Sequence, residues 1–265
     1  MLNIKHLRKI FNPGTPNETM AIYDLNLHLK PGDFVTLIGG NGAGKSTLLN
    51  CIAGVYPPSA GVITINDNDV TFKPEHKRAN YLGRVFQDPM LGTAGNMSIA
   101  ENLAMAARRG KSRGLGWGIS KEEFDQYKEY VSRLDLGLEN RMSVKVRLLS
   151  GGQRQALTLL MATLQRPDLL LLDEHTAALD PRTADKVLYV TRRLVKENNL
   201  TTMMITHNMR QAIEFGNRLI MMNHGRIVLD IEGEDKKGLE VNDLLKRFAA
   251  ASGEEFDSDR ALLSM

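Results

Sequence analysis

The chain is 265 residues long, 42% hydrophobic and 25% charged, with 34 Lys and Arg against 31 Asp and Glu and a formal net charge of +3. That is enough to bury a sizeable core in one large domain or two modest ones, with a globular composition and a charge too balanced to imply a nucleic-acid binder. The single cysteine, Cys51, excludes an intrachain disulfide and a cysteine metal cluster, and suits a reducing cytosol.

The N-terminus, Met1 to His6, lacks the apolar stretch of a secretory signal, and no segment approaches the roughly 20 apolar residues of a membrane helix. Membrane contact is therefore expected only through a partner. Leu2 to Phe11 and Ala21 to Leu29 are β-prone runs around the turn-rich Asn12-Pro13-Gly14-Thr15-Pro16-Asn17. Pro31-Gly32 is a turn, and Phe34 to Ile38 a buried strand. A glycine-rich loop then leads to a helix over Lys45 to Ala53 that stops at Gly54. Val62 to Ile65, with the turn Asn66 to Asp69, adds antiparallel strand.

From about residue 90 the pattern turns helical. Ser98-Ile99-Ala100-Glu101 and Ser120-Lys121-Glu122-Glu123 are capping boxes, opening amphipathic helices to about Arg109 and about Leu136. Between them, Gly110 to Gly118 holds four glycines and the lone Trp117, an expected exposed, mobile loop. The basic clusters Arg108-Arg109-Gly110-Lys111 with Arg113, and Lys236-Lys237, read as solvated surface. Strands and helices then alternate: strand Leu169 to Leu172, helix Thr183 to Glu197, strand Thr202 to Thr206, and a short helix to Phe215. A hairpin, Arg218 to Met222 and Arg226 to Leu229, turns at Asn223-His224-Gly225, and the tail after Ser252 is polar and frayed. The whole predicts an α/β fold with a mostly parallel sheet, helices on both faces, an N-terminal antiparallel β subdomain and an inserted helical subdomain.

Gly39-Gly40-Asn41-Gly42-Ala43-Gly44-Lys45-Ser46 matches the phosphate-loop pattern between a predicted strand and helix. Glycines let backbone N–H groups converge on an anion, and the helix N-terminus adds its positive end. Lys45 would reach the β/γ-phosphates of ATP, Ser46 would give an oxygen to Mg²⁺, and Thr47 completes the expected nucleotide contacts. The strand Leu169 to Leu172 delivers Asp173 and Glu174 to its C-terminal edge, where open α/β sheets bind ligands. Asp173 would hold Mg²⁺, and Glu174 would orient and polarise the attacking water. Both motifs fit many phosphate-loop ATPases.

Leu149-Ser150-Gly151-Gly152-Gln153 narrows the choice. Ser150 can N-cap a helix running to about Leu164, with Gln153 completing the capping box, so a second anion-binding helix end is expected. One triphosphate does not need two such ends in one fold, so the second is expected to serve another subunit's nucleotide.

With these motifs in this order, residues 1–230 resemble the nucleotide-binding domains of ABC transporters, which implies a RecA-like core. By that resemblance 1–252 form one ATPase domain: a core and antiparallel subdomain over 1–89 and 166–230, a helical signature subdomain over 90–165, and a C-terminal helix over 231–252, followed by a polar tail over 253–265. The resemblance implies that Phe11 stacks on adenine. Gln87 would sense Mg²⁺, the attacking water and the membrane partner. Ala178-Leu179-Asp180 would cross to the other subunit, and His207 would contact the γ-phosphate. It implies a head-to-tail homodimer with ATP at the interface, completed by Ser150, Gly151, Gly152 and Gln153 of the opposite subunit. A permease and, indirectly, an extracytoplasmic binding protein would be partners, nucleic acid would not, and the chain would sit at the cytoplasmic face of the membrane.

His175 stands where many relatives have proline and reads as a spacer, with tuning of the Glu174 water as the alternative. Cys51, Met203-Met204 and Met221-Met222 read as packing. The runs around Asp173 to Pro181 and Thr206 to Met209 resemble bacterial importers labelled for tryptophan or tyrosine. The permease is expected on a separate chain, with no regulatory domain after residue 230. A soluble ABC ATPase of iron–sulfur assembly is the alternative, which neighbouring permease genes would discriminate.

Overall fold

The computed structural model describes residues 1–111 and 118–252. Most of the expected loop around Trp117, together with Arg113 and the tail beyond Ser252, lies outside the described residues. In chain order the elements are β1 (Leu2–Phe11), β2 (Thr19–Leu29), β3 (Phe34–Ile38), α1 (Lys45–Ala53), β4 (Ala60–Ile65), β5 (Asn68–Asp69) and α2 (Glu75–Arg78). There follow β6 (Leu82–Val85), α3 (Ile99–Ala107), α4 (Lys121–Ser132), α5 (Gly151–Thr163), β7 (Leu169–Asp173) and α6 (Pro181–Glu197). The last are β8 (Thr201–Ile205), α7 (Met209–Glu214), β9 (Arg218–Asn223), β10 (Arg226–Glu232) and α8 (Val241–Ser252). They form two compact units, Met1–Arg78 with the chain from Leu200 onward, and Ala79–Asn199.

In the first unit β1 pairs antiparallel with both β2 and β4, and β5 pairs antiparallel with β4. Separately, β3 lies between β8 and β9, parallel to both, while β10 pairs antiparallel with β9. Every residue of β3 and β8 is buried, as a parallel strand covered on both faces requires, which is why both are unbroken by charge. Met203, Met204, Met221 and Met222 are core residues. A further core joins Met209 and Ala212 of α7, Leu219 and Met221 of β9, and Leu244 and Phe248 of α8. Cys51 is buried on α1, where desolvation pushes its thiol up to about 11, so it packs as an inert small apolar group.

Helix α1 stops where Gly54 turns left-handed (φ 85°) and its N–H donates to Asn50 O and Cys51 O. Arg78, 1% exposed, finishes that helix end: its guanidinium donates to Cys51 O, Ile52 O, Thr71 O and Lys73 O. A charge so buried is tolerated because carbonyls meet it on several sides.

In the second unit β6 and β7 pair in parallel, Leu82 opposite Leu169 through Val85 opposite Leu172. Capping boxes are formed at Ser98 with Glu101, Ser120 with Glu123 and Ser150 with Gln153, and each starts a helix where the sequence expected one. Helix α4 ends at Ser132 rather than near Leu136, because Asp135 (φ 56°) and Gly137 (φ 68°) turn left-handed. Helix α6 begins at Pro181, two residues earlier than expected, because Asp180 caps it through Thr183 N at 3.1 Å.

Candidate active site

The site residues divide between the units. In the first, β3 ends at Ile38 and the chain enters Gly39 at φ 150°, where a Cβ would lie 2.2 Å from Met222 O. Gly44, at φ 97°, caps α1, and a Cβ there would lie 2.8 Å from Ala21 O. These glycines are imposed by backbone crowding as well as by conformation. No side chain caps the N-terminus of α1 and no acidic residue occupies its first turn, which leaves helix-end N–H groups directed at whatever occupies the loop. Asn41, Gly42 and Ser46 are exposed on that loop, Ala43 is buried beneath it, and Thr47 is half-buried.

Lys45 is buried, its Nζ donating to Gly39 O at 2.7 Å and Gly40 O at 3.0 Å. The ammonium is thereby folded back under its own loop. The loop is also held from outside, since Gly225 N, at the β9–β10 turn, donates to Ala43 O at 3.0 Å.

Leu37 of β3 lies opposite Ile205 of β8, so Gly39 and His207 each follow by two residues at the same C-terminal edge. His207 is exposed there. Behind it Asn208 caps α7 through Gln211 N at 3.0 Å, and Thr206 Oγ1 binds Asn208 N at 3.1 Å. Phe11, at the end of β1, meets Tyr56 edge-on with ring centroids 5.3 Å apart. Lys9 Nζ lies 4.9 Å from the Phe11 centroid. Tyr56 was not expected from sequence, because the turn that carries it beside Phe11 follows α1.

In the second unit Val85 lies opposite Leu172, so Gln87 and Glu174 each follow by two residues at the same C-terminal edge. Asp173 lies 3.7 Å from Arg84 Nη2, and the Arg84 guanidinium stacks 4.5 Å over Phe86. Gln155, fully buried on α5, donates through Nε2 to Phe86 O at 3.1 Å, so the residue before Gln87 hangs from the Ser150 helix. At the start of that helix Ser150 Oγ accepts from Gln153 N at 3.3 Å and Gln153 Oε1 accepts from Ser150 N at 3.2 Å. Gly151 and Gly152 leave no side chain over the helix end. A Cβ on Gly152 would sit 2.0 Å from the Thr183 methyl, so α6 fixes that glycine.

Glu174 has a left-handed backbone, φ 44°, which costs a non-glycine residue roughly 1–3 kcal/mol. Ala177 N donates to Glu174 O at 2.9 Å and closes the turn that the chain makes on leaving β7. His175 is 2% exposed, with its Nε2 3.0 Å from Thr191 Oγ1, and burial alone lowers its pKa to about 4. The ring is neutral at pH 7.

The candidate metal donors Ser46, Asp173 and Gln87 are hard oxygen groups, the type Mg²⁺ takes. Among the described residues no three His, Cys, Asp or Glu side chains gather as a metal cluster. In nucleotide sites such groups leave the rest of the Mg²⁺ shell to phosphate oxygens and water.

A protein-family signature described as ABC transporter matches residues 22–177. The chain is 44% identical, over 95% of its length and 100% of the relative's, to a tyrosine transport ATP-binding protein of Clostridioides difficile. It is 31% identical, over 94% of its length and 70% of the relative's, to a methionine import ATP-binding protein of Enterococcus faecalis. Among solved structures, a dimeric ATP-binding cassette in a post-hydrolysis state with ADP and Pi superposes with a TM-score of 0.74 at 28% identity, covering 88% of this chain and 98% of that one.

Proposed function

Because the chain belongs to the ABC transporter family of ATP-binding proteins, we propose that it is the ATP-hydrolysing subunit of an importer for an amino acid or related solute, acting through a separate permease. The observation that carries this reading is the pair of strand registers. Gly39 and His207 each follow the pair Leu37 and Ile205 by two residues, and Gln87 and Glu174 each follow the pair Val85 and Leu172 by two. The amino-acid cargo is supported by the names of the tyrosine and methionine relatives.

In this reading residues 1–89 and 166–230 are the core and 90–165 the helical signature subdomain; of the 231–252 segment expected as a C-terminal helix only Val241–Ser252 is α-helical, because β10 runs on to Glu232 and a short 3-10 turn follows. Lys45 and the N–H groups of the loop bind the triphosphate. Ser46 and Asp173, with Gln87, hold Mg²⁺, which neutralises phosphate charge when bound. Glu174 orients and polarises the water that attacks the γ-phosphate, and His207 steadies the charge that develops on it. Phe11 offers its ring to adenine, alongside Tyr56. Ser150, Gly151, Gly152 and Gln153 act on the nucleotide of a second copy arranged head to tail, and Asp180 reaches that copy. Docking on the permease keeps the subunit at the cytoplasmic face of the membrane, with an extracytoplasmic binding protein delivering solute.

Glu174→Gln tests this directly. ATP binding is expected to persist while turnover falls by about a hundredfold or more, and ATP should trap a dimer visible by size-exclusion chromatography. Near-normal turnover would remove Glu174 from the reaction.

A further inference from the structure

The segment from Glu174 to Asp180 crosses from β7 to α6, and His175 is its one buried residue. Its imidazole reaches Thr191, itself fully buried on α6. The Thr191 hydroxyl hydrogen is committed to Val187 O at 2.8 Å. A hydroxyl has one hydrogen, so towards the ring Thr191 Oγ1 is only an acceptor, and His175 Nε2–H is the donor. This assigns the tautomer and gives the contact a direction. The neighbouring peptide carries the left-handed Glu174. A glutamate in that conformation relaxes to ordinary backbone angles unless its surroundings hold it, and the next residue's side chain moves with any such rotation.

We propose that His175 is a positioning residue for Glu174: the His175–Thr191 hydrogen bond pins the far side of the turn and so holds the backbone angle at which the Glu174 carboxylate is presented. The inference rests on the reading of Glu174 as the group that orients the attacking water. It replaces the spacer role expected from sequence with a mechanical one. The imidazole is buried, and its contribution is the angle at which its neighbour is presented. Small losses of alignment at a reacting group cost large factors in rate.

The test is ATP turnover per ATP-binding site in the full chain, with kcat and KM separated and stoichiometry fixed by nucleotide titration. His175→Leu and Thr191→Val remove the hydrogen bond at similar volume. Each is expected to lower kcat by about tenfold while leaving KM and the affinity for ATP within about twofold. Thr191→Ser keeps the acceptor and is expected to retain the parent kcat. The double variant should be no worse than the poorer single one, because both remove the same link. Thr191→Val keeps the experiment decisive should His175→Leu fail to fold. If folded, ATP-saturable Thr191→Val turns over like the parent while Glu174→Gln is inactive, this inference falls and the role of Glu174 stands. If Thr191→Ser loses as much as Thr191→Val, the contact is ordinary packing and the inference falls as well. If Glu174→Gln itself turns over normally, the underlying reading fails first.

Discussion

Gly44 shows what one side chain would undo. A methyl there would press on Ala21 O from 2.8 Å, at a φ of 97° that side chains avoid. Gly44→Ala is expected to lose at least about 1–3 kcal/mol in stability and most ATP affinity, read by thermal melting and nucleotide titration. Lys236, expected on solvated surface, is buried instead and offers a different test. Its ammonium is buried against Phe215 O and Gly216 O, and desolvation lowers its pKa to about 8 from an ordinary 10.5. Between those values the unfolded chain holds a proton that the folded chain has released, so this residue makes stability rise with pH. The penalty for burying charge is complete below pH 8 and relieved above it. The melting temperature of the parent relative to Lys236→Met should climb from pH 8 to pH 10, and a flat difference would contradict the assignment. The phosphate loop was legible because its glycines and Lys45 recur at a fixed spacing. Glu174 was legible as a carboxylate at a strand end but not as a left-handed residue, since the turn towards α6 imposes that angle. The Thr191 partner of His175 is set by packing, which no local pattern records.

Among the elements, α1 carries the loop at one end and depends on Arg78 at the other. Arg78→Met removes the donor to four carbonyls and keeps much of the apolar stem. A loss of about 2–4 kcal/mol is expected, seen as a lower urea midpoint with an unchanged slope. Helices were the easiest elements to foresee, since a serine with an acid or amide three residues later marks each capping box. Strand β6 was not foreseen. It is four residues long with a glycine and an arginine inside, and pairing with β7 decides it. Gly83 is required because a Cβ would meet Ala162 O at 2.6 Å. Strand β10 runs to Glu232, beyond its apolar stretch, because Asp230 grips Arg218 through two hydrogen bonds of 2.6 and 2.7 Å.

At the scale of the molecule, Lys45 and Ser150 belong to different compact units, and the proposed dimer asks them to serve one nucleotide from different copies. Lys45→Ala and Ser150→Arg subunits, each inactive alone, should regain turnover on mixing, since one shared site per mixed dimer keeps both intact groups. Turnover that stays absent in verified mixed dimers would refute sharing. The core fold was legible as a class from alternating strands and helices, but the neighbours of β3 were not, because they come from much later in the chain. That lateness governs how the protein is made. While the ribosome is still producing the middle of the chain, β3 has emerged with both edges bare, since β8 and β9 do not yet exist. The hydrogen bond from Gly225 to Ala43 forms later still. A nascent chain therefore gains its grip on nucleotide only near the end of translation, and a fragment released early stays an exposed sheet edge, recognisable to chaperones rather than to ATP.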